Sequence, residues 1–241
     1  MLRRFEVYAL RSDAPAARVG ALESACRDCG RFIPEVLDSV VGVNRSEAPV
    51  DLVWEHAFAS PEAYRRYMVH PYHATVLDRY LLQDSPERVV VDDPLGAGLV
   101  GYGCDVPSYR MEGGVRRLVL LRLHAGAPSQ EIDRLRDALQ GATADVPEMV
   151  VSVMAANTMG SAWFDGVTTI TGPPKWTHVW EQGFRSLDAL ESYRRGDSPL
   201  ARSERSGWEG SIGGIVKRSA ELFYELTAST GAPARATKRE G

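Results

Sequence analysis

The chain has 241 residues, 44% of them hydrophobic and 25% charged, and a net charge of −4. That balance fits an ordinary globular chain of one or two domains and supplies no basic surplus for nucleic acid. No apolar run approaches the ~20 residues that span a bilayer. Three cysteines fit a reducing, cytoplasmic setting better than a disulfide scaffold.

Arg3 and Arg4 could open a secretory leader, but Glu6 and Arg11 interrupt the apolar stretch that would have to follow. Arg4 to Leu10 alternates as a strand. Asp13-Ala14-Pro15 breaks it and starts a helix over Ala16 to Phe32, with Val19, Leu22, Cys26 and Cys29 at helical spacing. Pro34 ends that helix. Leu37 to Asn44 and Val50 to Phe58 read as strands around a turn. Ser60-Pro61-Glu62 opens a helix to about Val69, with Ser at the N-cap and Pro in the first turn. A further helix is expected over Tyr72 to Leu81, and a fourth strand over Arg88 to Asp92. The order is β-α-β-β-α-β, the ferredoxin-like pattern.

Asp93 to Gly114, rich in Gly and Pro, reads as a linker. The pattern then restarts: Val115 to Leu123 strand, Ser129 to Gly141 helix, Glu148 to Asn157 strand, an insertion over 158–175, Trp176 to Phe184 strand, a helix capped by Ser186, and a closing strand over Glu221 to Leu226. The second half repeats the first. Trp54-Glu55-His56-Ala57-Phe58-Ala59-Ser60 returns as Trp180-Glu181-Gln182-Gly183-Phe184-Arg185-Ser186, each followed seven residues after its Ser by a tyrosine, Tyr67 or Tyr193. Leu10 to Pro15 likewise returns as Leu123 to Pro128. The expected organisation is α+β: a first unit over 1–93, a linker over 94–114, a second unit over 115–227 and a disordered tail over 228–241.

The run Phe58-Ala59-Ser60-Pro61-Glu62-Ala63, then Tyr67, then His70-Pro71-Tyr72-His73, resembles the stress-responsive dimeric α/β-barrel family. The resemblance covers the first half nearly end to end and the second more weakly. It implies two four-stranded sheets closing a barrel, here inside one chain as a pseudo-dimer, with a homodimer the other possible assembly. The family includes olivetolic acid cyclase-type polyketide cyclases, which work without a cofactor. On that resemblance Tyr67 and His73 carry the chemistry, while the other pocket histidines of such cyclases fall on Arg4, on Leu52 in the first half and on His178 in the second.

Strand alternation puts Leu52, Trp54 and His56 on one face, so His56 can stand in for the histidine absent at Leu52. Tyr64 and Tyr67 share one helix face. A neutral imidazole near pKa ~6.5 suits proton abstraction beside a ketone. A tyrosine hydroxyl can donate to the developing enolate. The expected catalytic residues are therefore His73, Tyr67 and His56, with Arg4, Leu52, Trp54, Tyr64, His178 and Trp180 at the substrate. The expected function is cofactor-free cyclisation, dehydration or isomerisation of a hydrophobic, keto-bearing small molecule. The alternatives are a non-catalytic small-molecule binder or stress protein, and a haem- or quinone-oxidising monooxygenase on the same fold. No metal, nucleic-acid or membrane partner is expected. Cys26 and Cys29 sit late in a helix and are expected to pack. His70 is expected to cap a helix end and His124 to sit exposed at a strand end. In the second half Tyr193 is followed by Arg194-Arg195-Gly196 and then Ser198-Pro199, where no acid–base group matches His73.

Overall fold

Two amphipathic layers account for each half. Strand residues pointing one way meet helices, and those pointing the other way meet the opposite half. The computed structural model describes residues 1–91, 99–103, 111, 113–159, 175–196, 198–208 and 214–226. The first half contains β1 (Leu2–Tyr8), α1 (Ala16–Phe32), β2 (Val36–Val43), β3 (Leu52–Phe58), α2 (Pro61–Met68), a π-helical turn (His73–Leu77), α3 (Asp78–Leu81) and β4 (Leu99–Gly103). The second contains β5 (Gly114–Leu123), α4 (Ser129–Gln140), α5 (Ala142–Asp145), β6 (Met149–Ala156), β7 (His178–Phe184), α6 (Leu187–Arg195), α7 (Pro199–Arg205) and β8 (Val216–Leu226). The antiparallel sheets run β2-β3-β1-β4 and β6-β7-β5-β8, the same order twice.

The sheets also join at both seams. Asn44 bridges Tyr224, and Arg45 N–H donates to the Phe223 carbonyl at 2.8 Å. On the other side, Thr158 N–H donates to the Gly101 carbonyl at 2.7 Å, and Asn157 Oδ1 accepts from Gly101 N–H. One chain thus brings its two four-stranded sheets face to face as a barrel that touches at both seams.

The repeated Trp-Glu pair explains itself here. Trp54 and Trp180 point to the helices, and each indole N–H donates to a serine of the neighbouring strand, Ser39 or Ser152, at 2.8 Å. Glu55 and Glu181 point into the barrel, where they meet Arg3, Arg116, Tyr102 and Tyr224, all nearly inaccessible to solvent. Glu55 pairs with Arg3 and lies 3.5 Å from Arg116 Nε; Glu181 pairs with Arg116 and lies 3.2 Å from Arg3. Tyr224 donates to Glu55 at 2.8 Å, and Tyr102 donates to Glu181. Two charges of each sign therefore neutralise one another across the sheets. Burial alone would push the Glu55 carboxyl up, but Arg116 and Arg3 hold it below the usual carboxylate range. Around this quartet pack Phe5, Val53, Leu118, Leu120, Val179 and Leu222.

The fourth strand corrects the sequence reading. Residues 88–91 only flank the end of β1: Leu10 bridges Val90, and Arg11 N–H donates to the Val89 carbonyl. The main ladder to β1 is β4, inside the stretch read as linker, where Leu2 pairs with Gly103 and Glu6 with Leu99. Gly101 misled the reading because its glycine is steric. A side chain there would meet Met159 Cγ at 2.5 Å and the Arg3 carbonyl at 3.0 Å. β8 also begins earlier than expected, and Tyr72–Leu81 divides into a π-helical turn and α3. Most of the 158–175 insertion, part of the linker and the 228–241 tail lie outside the described residues.

At the β2–β8 seam, a Cβ on Gly42 would overlap the Tyr224 ring and lie 2.7 Å from Tyr224 Cβ. Gly42→Ala is therefore expected to destabilise the protein by about 1–3 kcal/mol, read by urea unfolding. A neutral result would mean the seam yields freely.

Candidate active site

β1 and β3 pair so that Arg4 faces His56 and Glu6 faces Trp54. Alternation turns these residues, with Leu52, toward the helices. Ser60 caps α2 by accepting from Ala63 N–H at 3.2 Å, which fixes Tyr64 and Tyr67 over the sheet. His70 Nδ1 accepts from Tyr72 N–H at 3.2 Å and so caps the next turn, which carries His73 inward. His56, Tyr64 and Tyr67 are fully buried and His73 is 5% exposed.

The Tyr67 ring stands edge-on to both imidazoles, its centroid 4.6 Å from that of His73 and 5.6 Å from that of His56. Trp54 backs His56 at 4.2 Å, and Phe58 lies 5.0 Å from Tyr67. The Arg4 guanidinium sits 4.8 Å from the Tyr64 ring centroid and 5.8 Å from that of Tyr67, and pairs with Glu6 at 2.6 Å. Tyr8 donates to Glu6. Glu6 stands 3.6 Å from His56 Nε2, and Asp78 stands 3.6 Å from His73 Nδ1.

Those two separations exceed hydrogen-bond length. Both His56 ring nitrogens, His73 Nδ1 and the Tyr67 hydroxyl make no hydrogen bond among the described residues. Buried polar groups nearly always find partners, and each that does not costs about 1–3 kcal/mol.

Burial, reinforced by Arg4 and His73, drives the His56 imidazole well below its ordinary value. Burial, with Arg4 and His70, pushes His73 down to about 3. Both are neutral at physiological pH. Burial raises the phenols of Tyr67 and Tyr64, so both remain protonated donors. Burial and Glu6 raise Asp78.

Unfolded histidines protonate near ~6.5. Between that value and about 3, the unfolded chain binds a proton that folded His73 refuses. Stability is therefore complete above pH ~6.5 and declines as pH falls through that window. In His73→Gln the slope of unfolding free energy against pH, measured in urea from pH 6 to 4, is expected to be about 1.4 kcal/mol per unit shallower than in wild type. An unchanged slope would show that His73 titrates normally in the fold.

The structure brings His73, Tyr67, His56, Arg4, Leu52, Trp54 and Tyr64 into one half; Leu52 is a buried wall residue. It does not bring His178 or Trp180 there. Both lie on the helix side of the other sheet, because β7 repeats β3 inside the second half. His178 Nδ1 lies 3.0 Å from Thr177 Oγ1, its pKa lowered by burial and Arg136. Trp180 packs edge-on to Trp208 in the second helix-side core. Sequence reasoning missed Glu6 and Asp78, although the Arg4–Glu6 spacing of two already placed both on one strand face. Cys26 and Cys29 are buried free thiols, Cys29 pushed up to about 12 by burial, and His124 is exposed.

In the second half, Arg117, Gln182 and Tyr193 occupy the places of Arg4, His56 and Tyr67, and Val119 that of Glu6. That half nevertheless contains an acid–base group. Ser198-Pro199 caps α7, which returns Glu204 to Arg117 at 3.0 Å. Burial raises the Glu204 carboxyl despite Arg117.

A barrel closed by two ferredoxin-like units of one chain is the single-chain form of a dimeric α/β barrel. Residues 2–94 match the family described as Stress responsive A/B Barrel Domain. Among curated proteins, none matches the sequence at a significant level. Solved structures share the fold at low identity. An anthrone oxidase-like protein is 13% identical, with 98% of this chain and 96% of that one covered, at a TM-score of 0.59. A provisional monooxygenase of Lactobacillus acidophilus is 10% identical over 95% and 94%, at 0.54. Chlorite dismutase of Candidatus Nitrospira defluvii is 10% identical over 94% and 90%, at 0.55. Among the described residues no helix is long and apolar enough to cross a membrane.

Proposed function

We propose that the first half is the reactive half of a cofactor-independent enzyme acting on a hydrophobic, keto-bearing small molecule. The observation that carries this reading is the convergence of His56, Tyr67 and His73, with nitrogens and a hydroxyl that the fold leaves unbonded. His73 takes a proton from carbon beside a ketone. The C–H electron pair becomes an enolate, whose oxygen accepts a hydrogen bond from Tyr67. The enolate carbon attacks a second carbonyl, and the proton returns to the new alkoxide.

At a pKa of about 3 the resting imidazole is a weak base. Asp78, 3.6 Å from Nδ1, is placed to stabilise the imidazolium once a ligand has entered. The side chains are packed, so entry involves movement of the π-helical turn and α3, the short elements that cover the cluster. Arg4, Leu52, Trp54 and Tyr64 form the walls.

The test is exchange of α-carbon protons of β-diketones and β-keto esters in D2O, followed by NMR. Exchange above the buffer rate that disappears in His73→Gln supports the reading. No exchange with any compound, alongside saturable binding, favours a non-catalytic binder. The full-length likeness to an anthrone oxidase-like protein supports a second reading. Here the same deprotonation yields a carbanion whose carbon bonds dioxygen to form a hydroperoxide; breaking its O–O bond with loss of water leaves the quinone carbonyl, and ligand-dependent oxygen uptake would select this reading.

A further inference from the structure

The second half contains a cavity of about 530 Å³ between sheet and helices, within the 300–1,000 Å³ typical of small-ligand sites. Counting onward from Ser60 and Ser186, Leu190 and Pro199 stand where the first half has the buried Tyr64 and His73. Four arginines (117, 194, 195 and 205) and three glutamates (191, 204 and 221) line the cavity, an excess of one positive charge.

Most of these charges are committed. Arg117 pairs with Glu204 and Glu221 and donates to Gln182 Oε1 at 2.7 Å. Arg194 pairs with Glu191 at 3.0 Å and Glu221 at 2.9 Å. Arg205 donates to the carbonyls of Arg194 and Gly196 at 2.8 and 2.7 Å. Arg195 is exposed and has no ion-pair partner among the described residues. Arg195 is thus the exposed arginine of this lining whose guanidinium is committed neither to a carboxylate nor to a carbonyl among the described residues.

Trp208 supplies the flat wall. It is 4% exposed, stacks edge-on against Trp180 with centroids 5.9 Å apart, and donates from Nε1 to Ser219 Oγ at 3.2 Å. Its φ is +67°, in the left-handed region that bulky side chains rarely occupy. A backbone outlier of this kind persists only where surrounding contacts enforce it, and such outliers gather at ligand sites. Beside Arg117, Gln182 and Tyr193 are buried, and the Tyr193 hydroxyl interacts with Gln182 and Glu204.

We propose that the second half holds its own binding site for a small planar organic acid, its ring against Trp208 and its carboxylate at Arg195. The site is separate from the His–Tyr cluster and does not depend on the reaction assigned to it. Calorimetric titration of the full chain with salicylate, and with the uncharged salicylamide, tests it. Salicylate is expected to saturate a site that Trp208→Leu abolishes and His73→Gln leaves intact. Affinity is expected to fall about tenfold for salicylamide and in Arg195→Gln, an exposed position whose substitution the fold tolerates. Absence of saturable binding, equal affinity for salicylamide, or binding that follows His73→Gln instead of Arg195→Gln would overturn the proposal.

Discussion

Glu181→Gln is expected to lower the free energy of unfolding by about 3–5 kcal/mol, the usual consequence of removing one partner from a buried ion pair. Glu181 is fully buried, faces Arg116 and Arg3, and accepts from Tyr102. The amide keeps the shape and an acceptor for Tyr102 but removes the charge. Two buried guanidinium groups are then left facing Glu55 alone. For a chain of this length the melting temperature is expected to fall by roughly 10 °C. Arg134→Gln, which breaks an exposed pair to Glu131 at 2.8 Å, is the control and should cost less than about 1 kcal/mol. Urea titration of both variants decides the matter. Equal effects would mean that the quartet is a bystander and apolar packing alone joins the halves.

Tyr67→Phe is expected to move stability and activity in opposite directions. The hydroxyl is buried without a hydrogen bond, so its removal should stabilise the fold by about 1 kcal/mol. Its loss as an enolate donor should reduce turnover about 10²-fold. His73→Gln should reduce turnover by about 10²–10⁴-fold, as loss of a general base does. Melting curves and rates on the same preparations give the answer. A Tyr67→Phe protein that is both less stable and fully active would return Tyr67 to the core.

Much of this was legible in the sequence because local signals and burial agree. The Ser60-Pro61 cap, the Pro34 stop and alternation along β1 and β3 gave elements close to those observed. The repeat foretold two units, and the single-chain barrel follows from it. The family resemblance supplied Arg4, Tyr67 and His73, strand alternation added His56, and the four lie together on the helix side of the first sheet. What remained hidden depends on contacts between distant segments. Gly101 looks like linker punctuation until Met159 and the Arg3 backbone crowd it. The roles of Glu55 and Glu181 appear only when the sheets face each other. Glu204 lies eleven residues past Tyr193 (204 − 193) and returns only because Ser198-Pro199 starts another helix. His178 entered the substrate set through the family resemblance, as a second-half residue, and the register of β7 keeps it in that half.

The paired Trp-Glu motif has an evolutionary consequence. In a barrel made from two identical chains, every substitution lands twice, so neither catalytic wall can change alone. Here the seam residues answer to each other across the barrel, while the helix-side walls answer only to their own half. Arg3 and Arg116, Glu55 and Glu181, and Tyr102 and Tyr224 remain matched, yet Gln182 stands in the second half where the first has His56, and Val119 where it has Glu6. Covalent fusion leaves the lock under shared constraint and frees each pocket to acquire its own chemistry.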